Sequence, residues 1–378
     1  MKLGLFFSRG ISLQVWLESG LLEREKLIYE AHLNNKTLSK VYWFTYGIND
    51  FFLSNELKKK GKLHLNIEVI PMPCFFIGRL GILIYSLLLP FLHFSLLKPL
   101  HILKTNQMNG SWSAVIASWL IHRPLLLRTG YTWSLLRKRQ NISKFKLTLI
   151  EIIENFAYKN AAAAIVTTEN QRKNIVESYS IPKSNIYVIP NYIDTQLFVP
   201  ENSKTKYKDR LIFIGRLNKE KNLFNLFEAI GKTNLTLDIY GKGELQPMLE
   251  QLSIDRGIKV SFMGAVPNSE LPGILNRYKY YILPSHFEGM PKTLLEAMAC
   301  GLVCIGTNVQ GINEVIEDSL TGYLAKGTDS KSILEAINKA ITNDDNEISK
   351  RAIKEIQENY SLDSIVKREM TIFKKLLH

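Results

Sequence analysis

Cysteine is scarce in this chain of 378 residues, which holds only Cys74, Cys300 and Cys304. So few and scattered thiols exclude a disulfide framework, and without a CxxC pair or a histidine cluster they make no zinc site. A reducing, cytoplasmic setting is the expectation. The N-terminus, MKLGLFFSRGIS, lacks the long apolar run of a secretory signal. Its short apolar stretch breaks at Arg9-Gly10 and reads as a buried first strand.

Acidic residues are missing from a long stretch. The 82 residues from Val69 to Ile150 contain no Asp or Glu. They contain ten bases: Arg79, Lys98, Lys104, Arg123, Arg128, Arg137, Lys138, Arg139, Lys144 and Lys146. The chain carries a net charge of +13, and the excess is one-sided: residues 1–200 hold 24 Lys and Arg against 12 Asp and Glu, the remainder 24 against 23. Such a stretch expects an anionic partner, whether phosphate, nucleic acid or an acidic membrane surface.

A clear membrane span is also lacking. Leu80–Leu97 comes nearest, with 18 uncharged residues between Arg79 and Lys98. Pro90 interrupts it, and Ser86, His93 and Ser95 are polar. One or two buried or interfacial helices are expected there.

What is present is alternation. In the second half, apolar strands at Arg210–Gly215, Leu235–Tyr240, Ile258–Met263, Tyr280–Leu283 and Val303–Gly306 are separated by helical segments, Asn222–Ile230 and Pro291–Ala299 among them. The first half repeats this less plainly, from a strand at Leu3–Phe7 and a helix at Leu21–Asn34 onward. This pattern predicts an α/β fold with two Rossmann-like, doubly wound domains. The polar run Pro200–Tyr207 marks the join, giving domains 1–203 and 204–361, followed by a helix over 362–378.

The densest chemical signal is Pro284–Gly301, PSHFEGMPKTLLEAMACG. Pro291 suits the first helical position and Gly301 the residue after the last turn. The free N–H groups at the start of that helix make an anion site, which Gly289 lets backbone approach. Glu288 and Glu296, about two turns apart, can reach different parts of one elongated ligand, and a carboxylate suits a vicinal diol. Each has a plainer reading. Arg216 and Lys221 could be surface charges, and Glu296 a solvated helix residue. Gly241-Lys242-Gly243 lacks the third glycine of a dinucleotide fingerprint and reads as a strand-end turn.

The E-x7-E spacing of Glu288 and Glu296 makes a resemblance specific when taken with Gly215-Arg216-Leu217, Lys221, Tyr240-Gly241-Lys242-Gly243, Phe262-Met263-Gly264, Gly311, Glu314 and Gly322-Tyr323. The second half resembles the donor domain of the retaining, family 4 glycosyltransferases of the GT-B fold, bacterial cell-surface polysaccharide type. The resemblance implies two domains facing a cleft, with the last helix crossing back to the first. It implies that Arg216 and Lys221 hold the diphosphate of a UDP- or GDP-sugar and stabilise the leaving group, with no metal and no other cofactor. By the same likeness Glu288 bonds the donor sugar, the backbone of Gly289, Met290, Pro291 and Lys292 faces sugar and phosphate, and Glu296 holds the ribose. Backbone near Val266 flanks the base, and Gly241 is among the donor-binding residues.

The first half departs from the family pattern. The loop after the first strand, Ser8 to Ser12, has one glycine, Gly10, to bring backbone to the donor. No histidine follows the strand leading into Arg128-Thr129-Gly130-Tyr131-Thr132-Trp133. Arg128, Tyr131 and Trp133 are candidates for the acceptor, a glycan or a polyprenyl-diphosphate-linked sugar; core packing is the other reading of the two rings. The apolar run and its basic rim fit a peripheral enzyme on the anionic inner face of the membrane. A catalytically silent GT-B partner subunit is the alternative; a nucleic-acid-binding protein is disfavoured, since the bases interleave with apolar runs. The sequence leaves the oligomeric state open.

Overall fold

A computed structural model describes residues 1–139, 142–201, 206–343 and 346–377; the Arg139 side chain and the join expected at 203/204 lie outside the described residues. The chain divides into two units, Met1–Pro190 with Ile365–His378, and Asn191–Ser364. Ile193 and Phe198, which precede the expected join, are already buried in the core of the second unit.

Among the described residues the first unit contains β1 (Lys2–Phe6), β2 (Lys40–Phe44), β3 (Ile67–Ile70), β4 (Ile102–Thr105), β5 (Leu125–Arg128), β6 (Ala163–Val166) and β7 (Ile186–Val188). The second contains β8 (Tyr207–Ile214), β9 (Thr236–Tyr240), β10 (Val260–Gly264), β11 (Tyr278–Leu283), β12 (Val303–Thr307) and β13 (Tyr323–Ala325). Their orders are β3-β2-β1-β4-β5-β6-β7 and β10-β9-β8-β11-β12-β13. Neighbouring strands pair in parallel, as in Leu3 with Val41 and Ile212 with Asp238. Continuous apolar runs such as Leu211–Phe213 and Leu125–Leu127 are buried because helices cover both faces of a parallel sheet. In each sheet the order reverses beside its first strand, between β1 and β4 and between β8 and β11. In open α/β sheets the loops leaving the carboxyl ends at such a reversal diverge, which is where ligands usually bind.

Some elements differ from expectation. Leu21–Asn34 is two helices, Leu21–Glu25 and Leu27–Asn34, preceded by a third, Leu13–Glu18, whose cap Ser12 accepts from the Val15 N–H. The three-residue strand β13 was too short to stand out as an apolar run. Leu80–Leu97 falls within helices Gly78–Leu92 and Phe94–Leu97. No helix among the described residues is long and apolar enough to cross a membrane.

The final helix, Leu362–Leu377, begins in the second unit, where the Leu362 N–H donates to the Ile193 carbonyl at 3.1 Å. From Ile365 it belongs to the first. There Phe373 is buried, its ring 5.1 Å from that of His32. Buried Glu369 accepts from Lys104 Nζ at 2.6 Å and lies 3.3 Å from His32 Nε2. Burial alone would push the Glu369 carboxyl up, but the Lys104 charge, with the His32 hydrogen bond and the nearby Arg128 charge, outweighs it and holds Glu369 well below the usual carboxylate range.

Candidate functional site

The second unit gathers its candidates around the ends of β8 and β11. Gly215 N–H donates to the Tyr240 carbonyl at 2.9 Å, and Gly241 N–H to the Gly264 carbonyl at 2.8 Å, lacing the ends of β8, β9 and β10 together. Gly241 stands at φ +146°, and a Cβ there would run into the Gly215 carbonyl oxygen. Only glycine fits this turn.

The loops after β8 and β11 are joined directly. Asn222 Nδ2 donates to the carbonyls of Pro284 at 2.9 Å and Thr328 at 2.6 Å. The His286 N–H donates to the Glu220 carbonyl at 2.9 Å. The result brings Lys221 Nζ to Glu288 Oε1 at 2.5 Å, with both side chains largely buried at 14% and 13% exposure. Ser285 Oγ donates to the same carboxylate oxygen at 2.6 Å, and Thr307 Oγ1 holds the Ser285 carbonyl at 2.5 Å. A lysine so held places a cation beside a strand end, paired with the carboxylate of the neighbouring loop. Arg216 is exposed on the same loop.

The helix Lys292–Ala299 follows, with Pro291 as its cap, which makes no side-chain capping bond. Pro291 was expected one position later, as the first helical residue; its ψ of 112° is extended, which places it just outside. Met290 is held by Asn191, whose Nδ2 donates to the Met290 carbonyl at 2.9 Å, and Lys292 Nζ lies 5.1 Å above the Tyr192 ring. Gly311, at φ +84°, backs onto the carbonyls of Glu288 and Gly289, where a Cβ would collide. Glu296 is buried at 2% exposure and accepts from Asn268 Nδ2 at 3.1 Å. Half-buried Val266 lies just past β10 and packs against the core.

Ser285, Asn268, Asn222 and Thr307 are site residues that pattern reading missed. The signal for Asn268 existed in principle, since a buried carboxylate needs a donor. Its location could not be read from a separation of 28 residues.

In the first unit, β1 and β4 are tied at the switch point. Arg9 N–H donates to the Asn109 carbonyl at 3.0 Å, and Ser8 Oγ donates to Asn106 Oδ1 at 3.4 Å. Gly10 is exposed at φ +79° in the turn between them. Arg128, Tyr131 and Trp133 are sent to three environments. Arg128 is half-buried and adds its charge to those felt by Lys104 and Glu369. Tyr131 is exposed. Trp133 packs against the core around Leu127, Tyr158 and Ile175. Its N–H donates to Glu154 Oε1 at 2.7 Å, and Tyr179 Oη donates to Glu154 Oε2 at 2.6 Å. Burial pushes the Glu154 carboxyl up, against the pull of these donors.

Two family models match the chain: Glycosyl transferases group 1 over residues 194–359 and Glycosyltransferase Family 4 over residues 40–197. The chain belongs to the family 4 glycosyltransferases. Among its relatives is the UDP-Gal:alpha-D-GlcNAc-diphosphoundecaprenol alpha-1,3-galactosyltransferase of Escherichia coli, 28% identical over 240 residues, which are 59% of this chain and 61% of that one. The D-inositol 3-phosphate glycosyltransferase of Corynebacterium jeikeium is 25% identical over 221 residues, 51% and 52% of the two chains. The chain thus spans less than two thirds of the length of these relatives. Family membership agrees with the fold. The Anabaena HepE structure in complex with UDP superposes with a TM-score of 0.76 at 16% identity, covering 99% of this chain and 100% of that one. A Rickettsia africae glycosyltransferase gives 0.77 at 17% identity, covering 100% and 98%. The fold is GT-B.

Proposed function

We propose that this family 4 protein is a retaining glycosyltransferase, moving a sugar from a nucleotide diphosphate-sugar to a glycan or polyprenyl-diphosphate-linked acceptor in cell-surface polysaccharide synthesis. The observation that carries the reading is the Lys221–Glu288 pair, held at the β8/β11 switch point beside the uncapped helix Lys292–Ala299. A UDP-sugar is the first donor to test, because the Escherichia coli relative is named for UDP-Gal and the Anabaena structure holds UDP.

In this reading Lys221 and Arg216 carry the charge of the departing diphosphate. The first-turn N–H groups after Pro291 meet phosphate and sugar. Glu288 orients the sugar, and Glu296, fixed by Asn268, accepts from the ribose hydroxyls. The bond between the anomeric carbon and the phosphate oxygen breaks. A bond from that carbon to the acceptor hydroxyl oxygen forms on the same face, and the hydroxyl proton leaves with the diphosphate. Two side-chain cations supply what a metal would otherwise supply, so the reaction runs without one. The work takes place in the cytoplasm, on the inner face of the membrane.

The deciding experiment is a thermal-shift panel of UDP, GDP and their sugars, followed by transfer assays with the donors that stabilise the chain. A shift with one nucleotide family and glycosylated product supports the reading. No shift with any of them defeats it.

A further inference from the structure

Two helices of the first unit carry apolar residues on the water side as well as on the packed side, where Tyr85 and Leu89 of one and Ile150 and Tyr158 of the other are buried. On Gly78–Leu92, Leu80, Ile84, Leu87 and Phe91 recur every three or four residues and are all exposed, Leu80 at 69%. The polar Ser86 points inward instead, where Trp112 Nε1 donates to its hydroxyl at 3.0 Å and Ser113 Oγ bonds its carbonyl. On Lys144–Asn160 an outward apolar stripe recurs. Phe145, Leu149 and Ile152 are exposed, Phe145 at 81%, while Glu154 is buried. Between them runs Ser111–Ile121, packed against both. Its half-exposed Trp119 lies edge-on to Phe156, ring centres 5.6 Å apart. Single exposed apolar residues need no explanation, but stripes on neighbouring helices of one layer do.

We propose that the outer faces of Gly78–Leu92 and Lys144–Asn160 form an interfacial docking surface for a bilayer containing anionic lipid. Charge selects the occupant. Arg79, Lys98, Lys144 and Lys146 are exposed beside the stripes. No acidic residue occurs from Val69 to Ile150, and on the second helix the one exposed acid, Glu151, faces three exposed bases, Lys144, Lys146 and Lys159. A second copy of this surface would bring base against base, whereas anionic headgroups complement it. A 15-residue helix is too short to span and lies in the plane of the interface, with its apolar face among the acyl chains and Trp119 near headgroup level. The inference rests on the function proposed above for its purpose, since a lipid-linked acceptor resides in such a bilayer. Its physical content stands on the surface alone.

Sedimentation of the full chain with phosphatidylglycerol-containing and pure phosphatidylcholine vesicles tests it. The expected result is binding to the anionic vesicles that weakens with added salt. The doubly substituted Leu87→Glu/Phe145→Glu chain should bind about tenfold or more weakly, given the burial lost at each apolar side chain. Ile254→Glu, at an exposed site in the second unit, should bind like the parent. A UDP thermal shift retained by the double variant shows that it is folded and tests donor binding separately; loss of that shift in the parent counts against the proposed function and leaves the vesicle result standing. No binding to anionic vesicles, or equal binding by parent and double variant, overturns the docking surface. So does a stable dimer by light scattering that the double substitution dissociates and that ignores vesicles.

Discussion

Lys221 and Glu288 neutralise each other in a largely buried pair, so each substitution tests a different role. If Lys221 carries leaving-group charge as proposed, Lys221→Ala should lower kcat by about 10²–10³, the range for loss of one pre-organised electrostatic contact. If Glu296 holds the ribose as proposed, Glu296→Gln, which keeps the size of the side chain, should raise the donor KM roughly tenfold with a smaller effect on kcat. Steady-state kinetics with a varied donor separates the two; a fall in kcat for Glu296→Gln equal to that for Lys221→Ala would contradict the division of roles. Glu369 is the other informative carboxylate. Its replacement by Gln leaves the Lys104 charge buried without its counter-charge, at a cost of about 3–5 kcal/mol. Its pKa in the folded chain lies below the unfolded value. The contribution is therefore complete above the unfolded carboxyl pKa of about 4.3 and fades as pH falls below that toward the folded value. Urea melts of parent and Glu369→Gln should differ most near neutrality, with the gap starting to narrow only as pH falls below about 4. A gap independent of pH would show that packing, not charge, holds the helix.

Among the elements, the turn after β9 shows why a glycine motif that fails a dinucleotide fingerprint can still be indispensable. Gly241 meets two demands at once, a left-handed backbone and a close approach to Gly215. Gly257 meets only the first, at φ +61° with nothing within 4 Å of an added Cβ. Gly257→Ala should cost about 1 kcal/mol, the left-handed penalty alone. Gly241→Ala should cost several times more, because backbone must shift to relieve the collision. Chemical denaturation of the two variants gives the comparison directly. The strain would be felt in the donor site as well, since the displaced strand end carries Arg216 and Lys221, so UDP affinity should fall for Gly241→Ala alone.

For the whole molecule, charge is divided by task. The phosphate site proposed for the second unit needs only two cations and a helix end, and the sequence downstream of residue 200 is nearly balanced. The first carries the basic excess and the outward apolar stripes. If Arg216 and Lys221 carry the leaving-group charge, transfer should survive EDTA, with rates measured before and after chelation and after adding back magnesium. Loss on chelation with recovery on magnesium would reject the metal-free reaction.

The alternation of strand and helix and the order of motifs from Gly215 to Tyr323 were legible in the sequence. They depend on local periodicity and on residues that keep fixed spacing along one strand–loop–helix unit. Glu288 and Lys292 could be placed together because one loop joins them. What the sequence could not supply was anything carried across distance. Tertiary structure alone paired Asn268 with Glu296, tied Asn222 to Thr328, and brought Glu369 to Lys104 across 265 residues. It also sent Arg128, Tyr131 and Trp133 to three environments, although six residues contain all of them, because β5 ends at Arg128 and the chain turns there. An uncharged run announced an apolar surface. Only packing decided that Ser86 and Glu154 would face the protein and leave leucine and phenylalanine outside, since their hydrogen-bond partners lie on the inner side.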